Sequence, residues 1–307
     1  MKPAIYIVFC LSMAAGALAA PVTADPPHVC EPCDAWNQPR APFHVYGNTW
    51  FVGTAGLSSI LLTSPQGHIL IDAGLPQSAP LIAANIERVG FRVEDIRLIL
   101  NSHTHYDHAG GIAALVRASG AQVAASPASK RALERGGPME DDPQFAFGPA
   151  ANNYRPVANV REIADGETLR VGPLAITAHF TPGHTPGGTS WTWRACEKHR
   201  CLDVVYADSF TPVSAEGFRF SGDEIHGSRV DSFLHSIEVV ANLPCDLLLA
   251  PHPVSYDLDA KLARWKENPK VNPLVDPAGC KAYAATARAN LAKRITEENA
   301  TPGSPAN

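Results

Sequence analysis

The order of elements along the chain predicts an α/β protein, a four-layer αβ/βα sandwich with a metal site at one edge of its two sheets. Three observations carry this. Strand-like segments precede helical ones twice in succession, histidine-bearing loops follow strands in both halves, and 307 residues with 45% apolar content can fill one large domain. Two such halves packed sheet against sheet, with helices outside, bury both inner faces at once.

The first residues read as an export signal. Lys2, an apolar stretch from Ala4 to Leu18 and the small residues around Ala17 and Ala19 follow the order a signal peptidase requires. A membrane anchor is the alternative, but the stretch is shorter than the roughly 20 apolar residues of a spanning helix. Residues 1–19 are therefore expected to be removed and the product to be periplasmic. Residues 20–42 form a Pro-rich leader, 43–298 a single domain and 299–307 a flexible tail.

Residues 49–53 and 58–63 are rich in β-type residues, and 68–72 follows a Pro65-Gln66-Gly67 turn, so a β-meander opens the domain. Leu81, Ile82, Ile86 and Val89, with Gly90 beyond, predict an amphipathic helix over 79–89. A short apolar strand at 97–100 runs into a histidine cluster, a Gly-Gly pair and a helix over 112–119. A second cycle begins near Leu169, with strands at 174–180, 189–193 and 203–206. Helices at 230–242 and 278–293 follow, with a strand at 247–250 between them. Residues 136–156 are rich in Gly, Pro, Asn and Asp yet contain Phe145, Phe147 and Tyr154, which fits either a mobile loop over a site or a plain surface loop.

Removing the signal takes Cys10 and leaves six of the seven cysteines, in an oxidising compartment where pairing is expected. Cys196 and Cys201 bracket a charged run between two strands and suit a hairpin disulfide. Cys245 and Cys280 flank a strand and the start of the last helix. Cys30 and Cys33 remain, and a bridge between them would be tight. Zinc binding by cysteines is the competing reading, weakened by better ligands elsewhere.

Those ligands lie in Asn101-Ser102-His103-Thr104-His105-Tyr106-Asp107-His108-Ala109-Gly110-Gly111. His103 and His105, two apart on an extended loop, point to one side and can grip one ion. Asp107 and His108 are adjacent and diverge, which suits a second. His184 stands in a Thr181-Pro182-Gly183-His184-Thr185-Pro186-Gly187-Gly188 turn, and His252 between Pro251 and Pro253; both follow apolar strands. Imidazole and carboxylate ligands with positions left for water mark a catalytic zinc site. The other seven histidines, at 28, 44, 68, 179, 199, 226 and 235, read as structural or exposed. A formal charge of -5 with no basic block argues against a nucleic-acid partner, and neither a membrane nor an oligomeric partner is expected.

The ordered set His103-x-His105-x-Asp107-His108, His184, Asp208 and His252 resembles that of the metallo-β-lactamase superfamily. Trp36-Asn37-Gln38-Pro39, the stretch from Tyr46 to Thr54, the run from Gly183 to Trp193 and Tyr206-Ala207-Asp208-Ser209 are similar, more narrowly, to the third subclass of class B β-lactamases. The resemblance implies the metallo-β-lactamase fold and two zinc ions. His103, His105 and His184 would bind one, and Asp107, His108 and His252 the other. Asp208 bridges the metals in some relatives; the narrower likeness leaves it out of the ligand set. Ser209 and Thr211, the latter where close relatives often carry serine, become candidates for holding a substrate carboxylate. Asp72 resembles a buried aspartate that orients a metal-binding histidine. The implied activity is hydrolysis of the β-lactam amide of penicillins, cephalosporins and carbapenems by a metal-bound hydroxide that Asp107 orients, conferring resistance. No serine-nucleophile signature is present in the mature chain. A lactonase, a thioester hydrolase or a non-catalytic zinc-binding protein are the rival readings.

Overall fold

Alternation along single strands divides the apolar side chains between two cores. In β-structure successive side chains face opposite sides, so Ile60, Leu62, Ile69 and Ile71 enter the core between two sheets while Leu61 and Leu70 enter a second core outside. Full burial of each such side chain contributes about 1.5–3 kcal/mol. The computed structural model describes residues 21–300; the expected export signal and residues 301–307 of the expected tail lie outside the described residues.

The first sheet holds seven strands in chain order, β1 (Phe43–Tyr46), β2 (Thr49–Phe51), β3 (Ile60–Leu62), β4 (His68–Ile71), β5 (Ile96–Leu100), β6 (Gln122–Ala125) and β7 (Arg161–Glu162). The second holds five, β8 (Thr168–Val171), β9 (Leu174–Phe180), β10 (Thr189–Glu197), β11 (Arg200–Tyr206) and β12 (Leu247–Leu249). The α-helices among the described residues are α1 (Cys33–Trp36), α2 (Ala79–Arg88), α3 (Tyr106–Ala109), α4 (Ile112–Ser119), α5 (Pro127–Arg135), α6 (Pro149–Asn152), α7 (Val230–Asn242), α8 (Leu258–Glu267) and α9 (Gly279–Ala300). Helices α2 and α4 cover the outer core through Ile82, Ile86, Ile112 and Leu115. Helices α7 and α9 close the other side, burying Phe233, Ile237, Ala287 and Leu291. The result is the expected four-layer sandwich. No helix among the described residues is long and apolar enough to cross a membrane.

Strand direction gathers the site. β4 and β5 pair parallel, as do β11 and β12, and β9 shares the direction of β11 because β10 runs antiparallel to both. The loops bearing Asp72, His103, His184, Asp208 and His252 therefore all leave carboxyl ends of strands. That is where open α/β sheets place ligands.

Several elements depart from the sequence reading. β6, α5 and α8 were not anticipated, since their apolar residues are few or spaced without clear period. β10 and β11 run on to a hairpin in which Cys196 stands opposite Cys201. Cys30 and Cys33, Cys196 and Cys201, and Cys245 and Cys280 stand as adjacent pairs, their Cα atoms 5.0, 4.0 and 6.3 Å apart. Helix α9 continues to Ala300, past the end expected for it at 293, and the buried Glu298 carboxylate anchors its last turns by accepting bonds from the Phe220 and Ser221 N–H groups. Residues 21–42 are tied to the domain. Asp25 takes both nitrogens of the Arg117 fork, and the Gln77 amide exchanges hydrogen bonds with both backbone groups of His28.

Candidate metal centre

The histidine segment leaves β5 through Asn101 and Ser102, and Asp72 shapes that exit. Its carboxylate accepts hydrogen bonds from the Ser102 N–H and hydroxyl, each 2.7 Å, from the Tyr206 hydroxyl at 2.7 Å and from the Asn101 amide at 3.2 Å. Asp72 has φ of +58°, a conformation that a non-glycine residue keeps only when its surroundings over-determine it. Four donors on one carboxylate do so. The carboxylate also lies 3.8 Å from His108 Nδ1, within ion-pair range, so Asp72 both organises the chain that delivers His103 and faces the His108 ring.

The extended loop expected for His103 and His105 ends at His105. His105 is extended at φ −72°, ψ 153°, and α3 begins at Tyr106, so Asp107 and His108 sit on a single helical turn. The His184 turn is pinned by three hydroxyls, those of Ser126, Ser129 and Thr189, which all donate to the Gly187 carbonyl. Gly188 is required there, since a Cβ would meet Asp208 Oδ2 at 2.3 Å. The His252 loop is tied back by the Ser58 N–H, which donates to the Pro251 carbonyl.

These loops bring the six expected ligands to one place. The rings of His103, His105 and His184 stand 4.7–4.9 Å apart, nearly perpendicular to one another, with a donor atom from each within 4.8 Å of the others. Asp107 Oδ2, His108 Nε2 and His252 Nε2 form a second triangle of 3.2, 3.2 and 3.3 Å. A tetrahedral ion with ligands about 2.0–2.1 Å away sets those ligands about 3.3 Å from one another. The second triangle fits that requirement directly. His103, Asp107 and His108 also converge, so the two sets adjoin.

Outer partners decide which ring nitrogen faces inward. His103 Nδ1 donates to Asp208 Oδ1 at 2.8 Å, His105 Nε2 to Asp142 Oδ1 at 3.1 Å and His184 Nδ1 to the Thr211 carbonyl at 2.7 Å. His252 Nδ1 donates to the Gly56 carbonyl at 3.3 Å. Each bond occupies one nitrogen and leaves the other as a lone pair turned inward. Burial, reinforced by neighbouring imidazoles, pushes His103 well below the usual histidine range and His184 down to about 3. Burial would raise Asp107, but His108 and His252 outweigh it and hold its carboxyl well below the usual carboxylate range. Neutral rings at His103 and His184 suit metal binding, whereas at His108 burial is outweighed by Asp107 and Asp72, which raise it above the usual histidine range, so that ring would shed its proton to a metal.

Asp208 and Asp142 were not read from sequence as partners of the histidines. The resemblance leaves Asp208 outside the ligand set and assigns it no histidine. Asp142 lies in the 136–156 segment, whose acidic pair Asp141-Asp142 beside aromatic residues was the available signal. That segment is a fixed part of the site: the Tyr154 hydroxyl donates to the Thr104 carbonyl, and the Ala215 N–H to the Pro143 carbonyl. Ser209 is buried beside Asp208, and the Thr211 hydroxyl stands 3.3 Å from His184 Nδ1. The leader supplies a wall: the Trp36 ring lies 5.1 Å from that of His252, and His28 stacks on Tyr106 at 3.9 Å.

Comparison with known proteins agrees with this geometry. The family described as the metallo-beta-lactamase superfamily matches residues 52–193. Among solved structures, the Rm3 metallo-beta-lactamase is 49% identical with a TM-score of 0.85, covering 88% of this chain and 99% of its own. MEM-A1, a subclass B3 metallo-beta-lactamase from a soil metagenome library, is 47% identical with a TM-score of 0.83, covering 86% and 99%. A hydroxyacylglutathione hydrolase of Anaeromyxobacter dehalogenans is 35% identical over 43% of this chain and 40% of its own length. The chain spans 40–66% of the length of three curated relatives it matches.

Proposed function

The chain belongs to the metallo-β-lactamase superfamily and is a hydrolase of that superfamily, and from this premise we infer that it opens the β-lactam amide of penicillins, cephalosporins and carbapenems with two zinc ions. The observation that carries the reading is the pair of adjoining donor triads, His103, His105 and His184 beside Asp107, His108 and His252, built from nitrogen and oxygen atoms without thiolate. Such a donor set suits catalytic zinc.

Zinc held by these two triads would lower the pKa of water to about 7 and so supply a nucleophile at neutral pH. The chain's own groups do the rest. Asp107, kept ionised, presents an oxygen beside both triads and orients the attacking water. The Ser209 and Thr211 hydroxyls, on the loop after β11, hold the substrate carboxylate. Asp208, Asp142 and the Thr211 carbonyl keep three imidazoles in one tautomer, so no reorganisation is needed during reaction. Trp36 and the His28–Tyr106 stack shield one flank from water.

Hydrolysis of a carbapenem, followed by loss of its chromophore with and without chelator and with metal content measured on the same sample, tests the reading. Turnover abolished by the chelator and restored by zinc is expected. An inert zinc-loaded protein would remove the lactamase assignment while leaving the family intact. The likeness to a hydroxyacylglutathione hydrolase supports a thioester hydrolase as the second reading. Asp208 favours the first, because its Oδ1 is engaged by His103 Nδ1 at 2.8 Å. We further propose that the protein is exported to the periplasm, acts as a monomer and carries the three cysteine pairs as disulfides.

A further inference from the structure

We propose that Asp142 is a positioning residue that couples the 136–156 segment to the metal centre, so that metal binding at His105 and ordering of the segment strengthen each other. The proposal rests on the metal reading above and goes beyond it, because it makes a surface segment part of the metal-binding equilibrium.

The Asp142 side chain is 2% exposed and the His105 side chain 3%. Asp142 Oδ1 stands 3.1 Å from His105 Nε2 and also accepts the Gln144 N–H at 2.8 Å, while the Asp142 N–H donates to the Met139 carbonyl at 2.9 Å. The carboxylate is thus fixed by its own turn and aimed at the ring. The other ties of the segment are of a different kind. Tyr154 donates to the Thr104 carbonyl, Arg229 to the Asp141 carbonyl and the Ala215 N–H to the Pro143 carbonyl, each at 2.9 Å. A backbone carbonyl accepts in the same way whether or not a metal is present. An imidazole does not.

Neutral imidazole carries one proton; in the metal-free protein the Asp142 carboxylate biases it toward Nε2, and the Nδ1–H tautomer is the competing minor form. Giving the Nδ1 lone pair to a metal leaves the proton on Nε2, the nitrogen facing Asp142. Metal binding therefore selects the tautomer that donates to the segment. By linkage, the segment's contact raises metal affinity by the factor with which metal tightens the segment. Partners of this kind typically alter metal affinity by about 10–100-fold.

The test uses the whole mature chain as wild type, Asp142→Ala, Asp142→Asn and Tyr154→Phe. Zinc affinity is measured by competition with a chromogenic chelator. Amide exchange across 139–154 is followed with and without zinc, and the His105 ring nitrogens are observed by 15N NMR. In wild type, zinc should slow exchange in this segment and shift the His105 Nε2 signal to a protonated, hydrogen-bonded position. Asp142→Ala should bind zinc about 10–100-fold more weakly at the three-histidine position and lose the zinc-dependent slowing, with exchange in β4, β5 and α7 unchanged. Asp142→Asn, which keeps an acceptor without charge, should fall between and serves if the alanine variant does not fold. Tyr154→Phe should retain the zinc response. Wild-type affinity in both Asp142 variants, or zinc-dependent slowing that survives in them, overturns the coupling. A wild-type chain that binds no zinc overturns the metal reading and the coupling with it, and so is told apart from a chain that binds zinc while the segment ignores it.

Discussion

Asp208 Oδ1 lies 2.8 Å from His103 Nδ1, with both side chains almost fully buried. The bond holds a proton on Nδ1 and turns Nε2 toward the cluster, and the Asp208 N–H is itself opposite the Ser190 hydroxyl at 3.0 Å. Oδ1 is thus committed to the ring while Oδ2 is buried without a hydrogen-bond partner, and we propose that the carboxylate acts through His103 and does not bridge two ions.

Asp208→Asn should therefore still bind two zinc ions per chain, with affinity at the three-histidine position reduced about 10–100-fold. Metal analysis after dialysis against buffered zinc checks this. A variant that drops to one ion under saturating zinc would make Asp208 a ligand.

Asp107→Asn removes the charge that His108 and His252 share and sets a neutral amide beside two imidazoles 3.2 Å apart. Loss of the second ion is expected, together with a fall in kcat of about 100-fold or more, the usual range for removing a group that positions or accepts a proton. Steady-state kinetics with parallel metal analysis reads both.

Metal removal should lower thermal stability, because only the folded chain gathers the six ligands. At zinc about 1,000 times above the dissociation constant, binding contributes about 4 kcal/mol, which for a domain of this size corresponds to roughly 10 °C in Tm. Calorimetry of chelated and zinc-replete samples, with salt and buffer held fixed, measures the difference; equal midpoints would contradict ligand binding at this cluster.

Glu298 gives the fold an acid dependence remote from the metal. Burial alone would raise its pKa, but hydrogen bonds from the Ser221 hydroxyl and the Ser221 and Phe220 N–H groups, with the Arg294 guanidinium at 2.7 Å, hold it below the usual glutamate value. A carboxyl depressed on folding stabilises fully above its unfolded pKa of about 4.3 and loses that contribution as pH falls through its lower folded value. Glu298→Gln should lower Tm at pH 7, and its deficit should shrink as pH drops below about 4. A deficit unchanged at pH 3 would show that charge is not the cause.

The Cys245–Cys280 pair spans 35 residues and fastens α9 beside β12. Replacing both cysteines by serine should cost about 2–4 kcal/mol. Denaturant midpoints at equal slope report the loss, and unreduced mass spectrometry reports whether the wild-type pair is oxidised.

Local spacing and periodicity carried much of this protein. Ile69 and Ile71 against Leu70 announce a strand with two buried faces, and His103-x-His105-x-Asp107-His108 announces metal chemistry, because alternation and ligand spacing are properties of neighbouring residues. The helical turn at α3 was hidden, since four residues between a strand and a Gly-Gly pair hold too few positions to show a period. What only the tertiary structure decided is which distant groups meet. Nothing local in Asp142, Asp208 or the Thr211 carbonyl marks them as partners of His105, His103 and His184, which lie 37, 105 and 27 residues away; the loop after β11 brings Asp208 and Thr211 to the shared edge, and the segment after α5 brings Asp142. The physical reason is range: side-chain periodicity acts over a few residues, whereas a buried imidazole finds its hydrogen-bond partner only after the sheets have closed and excluded water.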